Sequence, residues 1–198
     1  MKCDEWCWTI LGDEVELLTG FPFKSAQYTE DPNDIPLLRG DNLAQGYLRW
    51  DNAKRWSSNE LEGVDDYFLK ANDVVVAMDR PWIEAGLKYA YLSQKDLPCL
   101  LVQRVARLRA MDRLDQRFLR YVIGGLAFTQ HVLGVQTGTA VPHISSSQIK
   151  EFKFVCPPLA EQKAIAHILG TLDDKIELNQ QMNQTLKRSP MPSSNPGL

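Results

Sequence analysis

The sequence predicts an α+β protein: a globular mixed α/β domain over residues 1–156, followed by a long coiled-coil-forming helix over 157–187. Three observations point there. Short apolar and β-branched runs alternate with turn signals through the first 156 residues. A proline pair, Pro157-Pro158, closes that pattern. Beyond it, Leu159 to Lys187 holds no proline and a single glycine, Gly170, while apolar residues recur at helical spacing.

Taken in order, Trp8 to Gly20 forms a first segment that ends at Thr19-Gly20 and turns at Phe21-Pro22. Ile35 to Arg39 is a short strand stopped by the polar turn Gly40-Asp41-Asn42. Asp73 to Met78 carries Val74-Val75-Val76, a β-branched run suited to a buried strand. Leu87 to Leu92 and Leu100 to Leu108 are two further strands, although neither face of the second is cleanly apolar. Asp112 to Ile123 is helical, with Leu114, Phe118, Tyr121 and Val122 at helical spacing, Asp112 as its cap and Gly124-Gly125 as its interruption. A second helical stretch reaches Leu133, a Gly/Thr loop follows at Thr137-Gly138-Thr139, and Ser145-Ser146-Ser147 starts a short helical turn. Phe152 to Cys156 is the last strand.

In the long helix, Ile165, Leu169, Leu172, Ile176, Asn179, Asn183 and Leu186 step by fours and threes, a heptad seam. Such a stripe requires a partner helix, so Ile165, Leu169, Leu172 and Ile176 are the expected dimerisation residues. Residues 188–198 are dominated by Pro and Ser, with one Asn and one Gly and no periodicity, and are expected to be a disordered tail.

Composition limits the function. The chain has 198 residues, 44% hydrophobic, and no run approaching the roughly 18 apolar residues of a membrane span. The first residues lack the apolar core of a secretory signal, so the expected location is cytoplasmic. Cys3, Cys7, Cys99 and Cys156 supply one ligand-like pair but no second pair, and His131, His143 and His167 are scattered; reduced thiols and no metal are expected. A net charge of -3 argues against a binder driven by overall charge. Local charge is another matter: Arg104, Arg107, Arg109, Arg113, Arg117 and Arg120 fall in one window with only Asp112 and Asp115 as acids.

Catalytic motifs are missing. No Gly-x-Gly cofactor loop, no Walker lysine loop and no Asn-Pro-Pro-aromatic segment occurs, and Asp65-Asp66 has no lysine-bearing strand after it to complete a nuclease site. The expectation is a chain with no cofactor, no metal and no catalytic residue.

The junction Pro157-Pro158-Leu159-Ala160-Glu161-Gln162-Lys163-Ala164-Ile165-Ala166, continuing through Leu172-Asp173-Asp174-Lys175-Ile176, resembles the specificity subunit of type I restriction-modification systems. Gly138 to Ile144, Thr19-Gly20-Phe21-Pro22, and Asp73-Val74-Val75-Val76 with Arg80-Pro81 are similar to further parts of that family, so that the resemblance covers about residues 5 to 187. It implies a target-recognition domain and a conserved spacer helix. A full subunit has two of each, its helices packed antiparallel, and each domain reads half of a split site in double-stranded DNA. Methylation and cleavage then belong to separate methyltransferase and restriction subunits. With one domain and one helix, this chain is expected to be a half subunit or fragment that dimerises through its helix. Rival readings are a specificity domain detached from a single-chain methyltransferase-nuclease, and a coiled-coil scaffold with no DNA role.

Candidate DNA contacts follow from residue type and from that resemblance, each beside a plainer reading. Arg113, Arg117 and Arg120 share one face of the expected helix and suit phosphates; a solvated face is the alternative. Lys24, Gln27 and Tyr28, with Ser25, lie on an early loop suited to base readout, or to ordinary surface. Arg39 and Asn42 at their turn carry similar chemistry. Arg80 and Lys88 bracket a loop in which Trp82 either wedges into DNA or packs on the rim. Thr139 and His143, with Thr137 and Ser145, suit backbone phosphates or a structural turn.

Overall fold

Val74-Val75-Val76 occupies the centre of the molecule. In the computed structural model, which describes residues 5–138 and 140–188, all four residues of its strand are buried. The elements in chain order are β1 (Cys7–Ile10), α1 (Leu11–Glu14), β2 (Val15–Thr19), β3 (Ile35–Leu38), β4 (Gln45–Gly46), β5 (Arg55–Trp56), β6 (Val74–Ala77), β7 (Trp82–Ile83), β8 (Gly86–Leu87), β9 (Tyr89–Tyr91), β10 (Leu100–Leu101), β11 (Val105–Ala110), α2 (Gln116–Gly124), α3 (Leu126–Val135), α4 (Ser146–Lys150), β12 (Lys153–Cys156) and α5 (Leu159–Arg188).

A five-stranded sheet in the order β2-β11-β6-β9-β4 forms the frame. It is antiparallel except at its edge, where β4 runs parallel to β9. Successive side chains of a strand leave on opposite faces, so β6 feeds two cores. Val74, Val76 and Met78 join Phe118, Leu119, Ile123, Phe128 and Val132 beneath α2 and α3. Val75 and Ala77 face the other way, onto Leu38, Leu43, Leu92, Leu101 and Val105. Each fully buried aliphatic side chain here contributes about 1.5–3 kcal/mol. A smaller sheet, β10-β3-β5, covers a third cluster around Phe23, Leu37, Trp56 and Leu100. Gly20 is where the chain crosses between these layers: a Cβ there would lie 2.2 Å from the Val102 carbonyl oxygen, so no larger residue fits.

Several expected elements are divided or displaced. The strand expected over Leu100 to Leu108 breaks into β10 and β11, because Gln103-Arg104 makes a turn with Arg104 at φ 68°. The strand expected over Leu87 to Leu92 splits between β8, which closes a hairpin with β7, and β9 of the main sheet. The first segment is two strands joined by a single helical turn, with β1 paired to β12 and β2 to β11. Helix α2 starts three residues later than expected, capped by Asp115 rather than Asp112. The Asp115 carboxylate accepts from the Arg117 and Phe118 backbone N–H groups at 2.9 and 3.0 Å. Asp112 stands in the turn before it, where it has no helical N–H to accept from. The expected tail lies outside the described residues, apart from Arg188 at the end of α5.

Helix α5 spans 30 residues, about 45 Å at the standard rise. Its start is held by Gln162, which is 0% exposed. The Gln162 amide donates to the carbonyls of Pro157 at 2.7 Å and Arg113 at 2.9 Å and to Cys156 Sγ at 3.2 Å, and its oxygen accepts from the Asp115 N–H at 2.8 Å. Farther along, Asp173 accepts from Arg120 and from the Tyr121 hydroxyl, while the Arg120 guanidinium stacks 3.7 Å from the Tyr91 ring centre. Burial first, and the hydrogen bond to Asp173 second, push the Tyr121 hydroxyl pKa upward. Ile165 packs against the core, Leu169 is half-buried, and Leu172 and Ile176 are exposed. The four residues share one helix face. Alpha2 covers that face near the start of α5 and leaves it to solvent where the domain ends.

Candidate nucleic-acid interface

Loops from four parts of the chain converge at one end of the main sheet. The turn after β6 is held by the Arg80 N–H donating to the Pro142 carbonyl at 2.6 Å, and Asp79 pairs with His143 as an isolated bridge. The β10–β11 turn is held by the Met78 N–H donating to the Arg104 carbonyl at 2.8 Å. Between these turns and the loops carrying Tyr28 and Arg39 lies a cleft of about 470 Å³, lined by Ser25, Tyr28, Arg39, Asp41, Asp79, Arg80, Lys88, Gln103, Arg104 and Val141 among others. Four cations face two carboxylates there, a positive surplus in a chain whose net charge is -3. A neighbouring cleft of about 450 Å³ shares Arg39 and Asp41 and adds Arg49, Asn52 and Lys54.

The cleft therefore gathers Tyr28, Arg39 and the two ends of one loop, Arg80 and Lys88, from three separate sequence neighbourhoods. Lys24 and Gln27 are exposed beside it, on or next to the helical turn Ser25–Gln27. Asn42 lines the neighbouring cleft, but its side chain is committed to the fold: Oδ1 accepts from the Arg39 N–H and Nδ2 donates to the Arg49 carbonyl, both at 2.9 Å. His143 stands next to the Arg80 turn, with Nε2 3.1 Å from the Thr137 hydroxyl. Thr139 lies outside the described residues.

The expected arginine stripe is not one surface. Arg113 precedes α2 instead of sitting on it, and its guanidinium is 3.4 Å from the buried Glu14 carboxylate. Arg120 is turned toward Asp173 and Tyr91, and Arg117 is exposed. Of the other arginines in that window, Arg107 pairs with Glu16, and Arg109 grips the buried Asp73 through two bonds of 2.6 and 2.8 Å. Only Arg104 of the six lines the cleft. Residues that sequence reasoning left out of its contact set are Gln103 and Arg104, and Arg49, Asn52 and Lys54 next door. The failed alternation across residues 100–108 was the available sign of the first two.

Electrostatics and backbone geometry single out three of the lining residues. Lys88 is 8% exposed, and its ammonium forms no hydrogen bond or ion pair with a described residue. Burial, the largest cause, lowers its pKa; Arg49 and Arg80 act the same way, and Asp41 and Asp79 oppose them. Arg80 and Arg104 have φ of 46° and 68°, in the left-handed region. That conformation costs a side-chain-bearing residue about 1–2 kcal/mol relative to glycine. The Arg104–Asp79 pair does not offset it: its atoms are 3.6 Å apart with side chains 62% and 41% exposed, worth at most about 1 kcal/mol.

Chemically, the cleft offers cations and hydrogen-bond donors to an anionic, edge-presenting ligand, the requirement of a nucleic acid. Among the described residues, no group of three or more His, Cys, Asp or Glu side chains could hold a metal ion, and no helix is long and apolar enough to cross a membrane.

Comparison with known proteins bears on the same question. The chain is 32% identical over 183 residues to the type I restriction enzyme EcoAI specificity subunit of Escherichia coli, covering 92% of this chain and 30% of that subunit. It is 28% identical over 187 residues to the MjaVIII specificity subunit of Methanocaldococcus jannaschii, covering 94% of this chain and 44% of the relative. It thus spans less than half the length of either. The fold is that of the type I restriction-modification S subunit from M. genitalium, with a TM-score of 0.61 at 17% identity over 95% of this chain and 44% of that one. A family model, the type I restriction modification DNA specificity domain, matches residues 4–188. With a single model accounting for nearly the whole chain, and with a mixed sheet domain and trailing helix of the same fold beneath it, this chain belongs to the type I restriction-modification DNA specificity domain family.

Proposed function

We propose that this chain is a sequence-specific DNA-binding element of a type I restriction-modification complex, directing methyltransferase and restriction subunits to one half of a split site. The observation that carries this is the cationic cleft, in which Tyr28, Arg39, Arg80, Lys88 and Arg104 converge from distant parts of the chain. In this reading residues 1–156 recognise DNA and residues 157–187 form the spacer and assembly helix, all in the cytoplasm. Lys24, Gln27 and His143 flank the cleft and contact the duplex, while Asn42 shapes the Arg39 turn from within. The chain itself is non-catalytic, and chemistry resides in its partners. Methylome sequencing of a host with and without the chain tests the reading. A modified motif that appears only with the chain is expected; identical methylomes would overturn it. Purified chain incubated with labelled S-adenosylmethionine and mixed DNA should transfer no methyl group, and transfer above background would overturn its non-catalytic role.

The assembly helix pairs with a second copy. On its exposed side Ile168, Leu172, Lys175, Asn179, Met182 and Leu186 step by fours and threes. The pattern is self-complementary when two helices run antiparallel: Ile168 meets Leu186, Leu172 meets Met182, and Lys175 meets Asn179 about a two-fold axis near Glu177. Leu172 keeps its place in this contact, Ile176 borders it, and Ile165 and Leu169 support it from the domain side. The two cleft-bearing domains then lie at opposite ends, suited to an interrupted palindrome.

A further inference from the structure

Four non-glycine residues among those described have left-handed backbones: Asn52, Asn72, Arg80 and Arg104. Asparagine adopts that conformation readily, and arginine does not. Both arginines line the same cleft. Their backbones are held in place by the bonds from the Arg80 N–H to Pro142 and from the Met78 N–H to the Arg104 carbonyl. Glycine would satisfy those turns better. Arg80 forms no side-chain hydrogen bond or ion pair with a described residue, and the Arg104–Asp79 pair is long and exposed. The fold therefore gains too little from either side chain to account for its presence, and strain of this kind collects where a residue is required for something other than folding.

Resting on the DNA-binding role proposed above, we infer that Arg80 and Arg104 are the specificity-determining residues of the cleft, each reading the edge of a guanine in the major groove. A guanidinium presents two parallel donors, and guanine presents two acceptors, O6 and N7, at matching separation. Holding each arginine on a rigid, strained turn reduces the conformational freedom lost on binding. Arg39 and Lys88 provide the sequence-independent attraction: Arg39 is paired with Asp41 at 3.4 Å, and Lys88 is too deeply placed to reach a base edge. The half-site accordingly contains two guanines.

Arg80→Gly and Arg104→Gly test this, because glycine keeps the left-handed turns and removes only the side chains. Thermal unfolding of the full-length variants should match or exceed the wild type. Each variant, assembled with its methyltransferase partner, is then used to select from a duplex library randomised across the site. The expected result is a loss of guanine preference at one position per variant, about 10–100-fold, with other positions unchanged. A uniform loss of affinity with the preference intact, accompanied by a salt dependence shallower by about one unit, would make these arginines phosphate contacts and overturn the inference. Intact affinity and preference in both variants would overturn it as well, leaving the DNA-binding role standing. Absence of any preference in the wild-type complex would bring down both.

Discussion

Replacing Gln162 with leucine removes the clasp at the start of α5 while keeping a residue of similar bulk and good helix propensity. The side chain is 0% exposed and makes four polar contacts: its two amide N–H groups are shared among the Pro157 and Arg113 carbonyls and Cys156 Sγ, and its oxygen accepts from the Asp115 N–H. The contact with sulfur is weak. The other three are ordinary neutral hydrogen bonds, each worth about 1 kcal/mol, and breaking them strands the Asp115 N–H and the Arg113 and Pro157 carbonyls away from their partner. Burying an apolar side chain offsets part of the loss, leaving a net destabilisation of about 3 kcal/mol. In a domain of this size that lowers Tm by about 6–12 °C. Near-ultraviolet circular dichroism during heating provides the assay, with Lys163→Leu, one residue along on the exposed side, as the control. A fall of less than about 3 °C in the Gln162 variant would show that the clasp is dispensable, and the physical account of the junction motif would then be wrong.

Three other outcomes are expected. Asp115→Ala, which removes the α2 cap, should destabilise the protein by about 1 kcal/mol in urea unfolding, whereas Asp112→Ala should have no measurable effect. Lys88→Met should stabilise the protein at pH 7 by on the order of 1 kcal/mol while weakening DNA binding. Because burial lowers the Lys88 pKa in the folded state, the wild type bears the full penalty at neutral pH and loses it as pH rises through the lowered value toward the ordinary 10.5, so the variant's advantage should shrink in alkali. An advantage that is constant with pH would exclude this cause. Finally, light scattering at tens of micromolar should show a dimer that Ile168→Asp with Leu172→Asp converts to monomer; a monomeric wild type, or a dimeric double variant, would remove α5 as the contact.

Local patterns in the chain determined the α+β class, the Val74-Val75-Val76 strand and the breaker-free helix after Pro157-Pro158, because each depends on residue type and period over a few turns. The same holds for the glycine interruption at Gly124-Gly125 and for the short helix that Ser145 caps. Boundaries were less legible. Asp112 and Asp115 are equivalent by composition; in the fold Asp115 caps α2, and its own backbone N–H is held by Gln162, 47 residues away, a contact that no local pattern reveals. The arginine window shows the same limit. Sequence reveals that cations are concentrated between Arg104 and Arg120, but whether each faces solvent, an acid or a cleft depends on Glu14, Glu16, Asp73, Asp79 and Asp173, carboxylates brought from other elements. The cleft is the extreme case: Tyr28, Arg39, Arg80 and Arg104 become neighbours only after β3, β6 and β11 have set their sheets and aimed the intervening turns at one another. Charge acts through distance and desolvation, and both are properties of the folded chain.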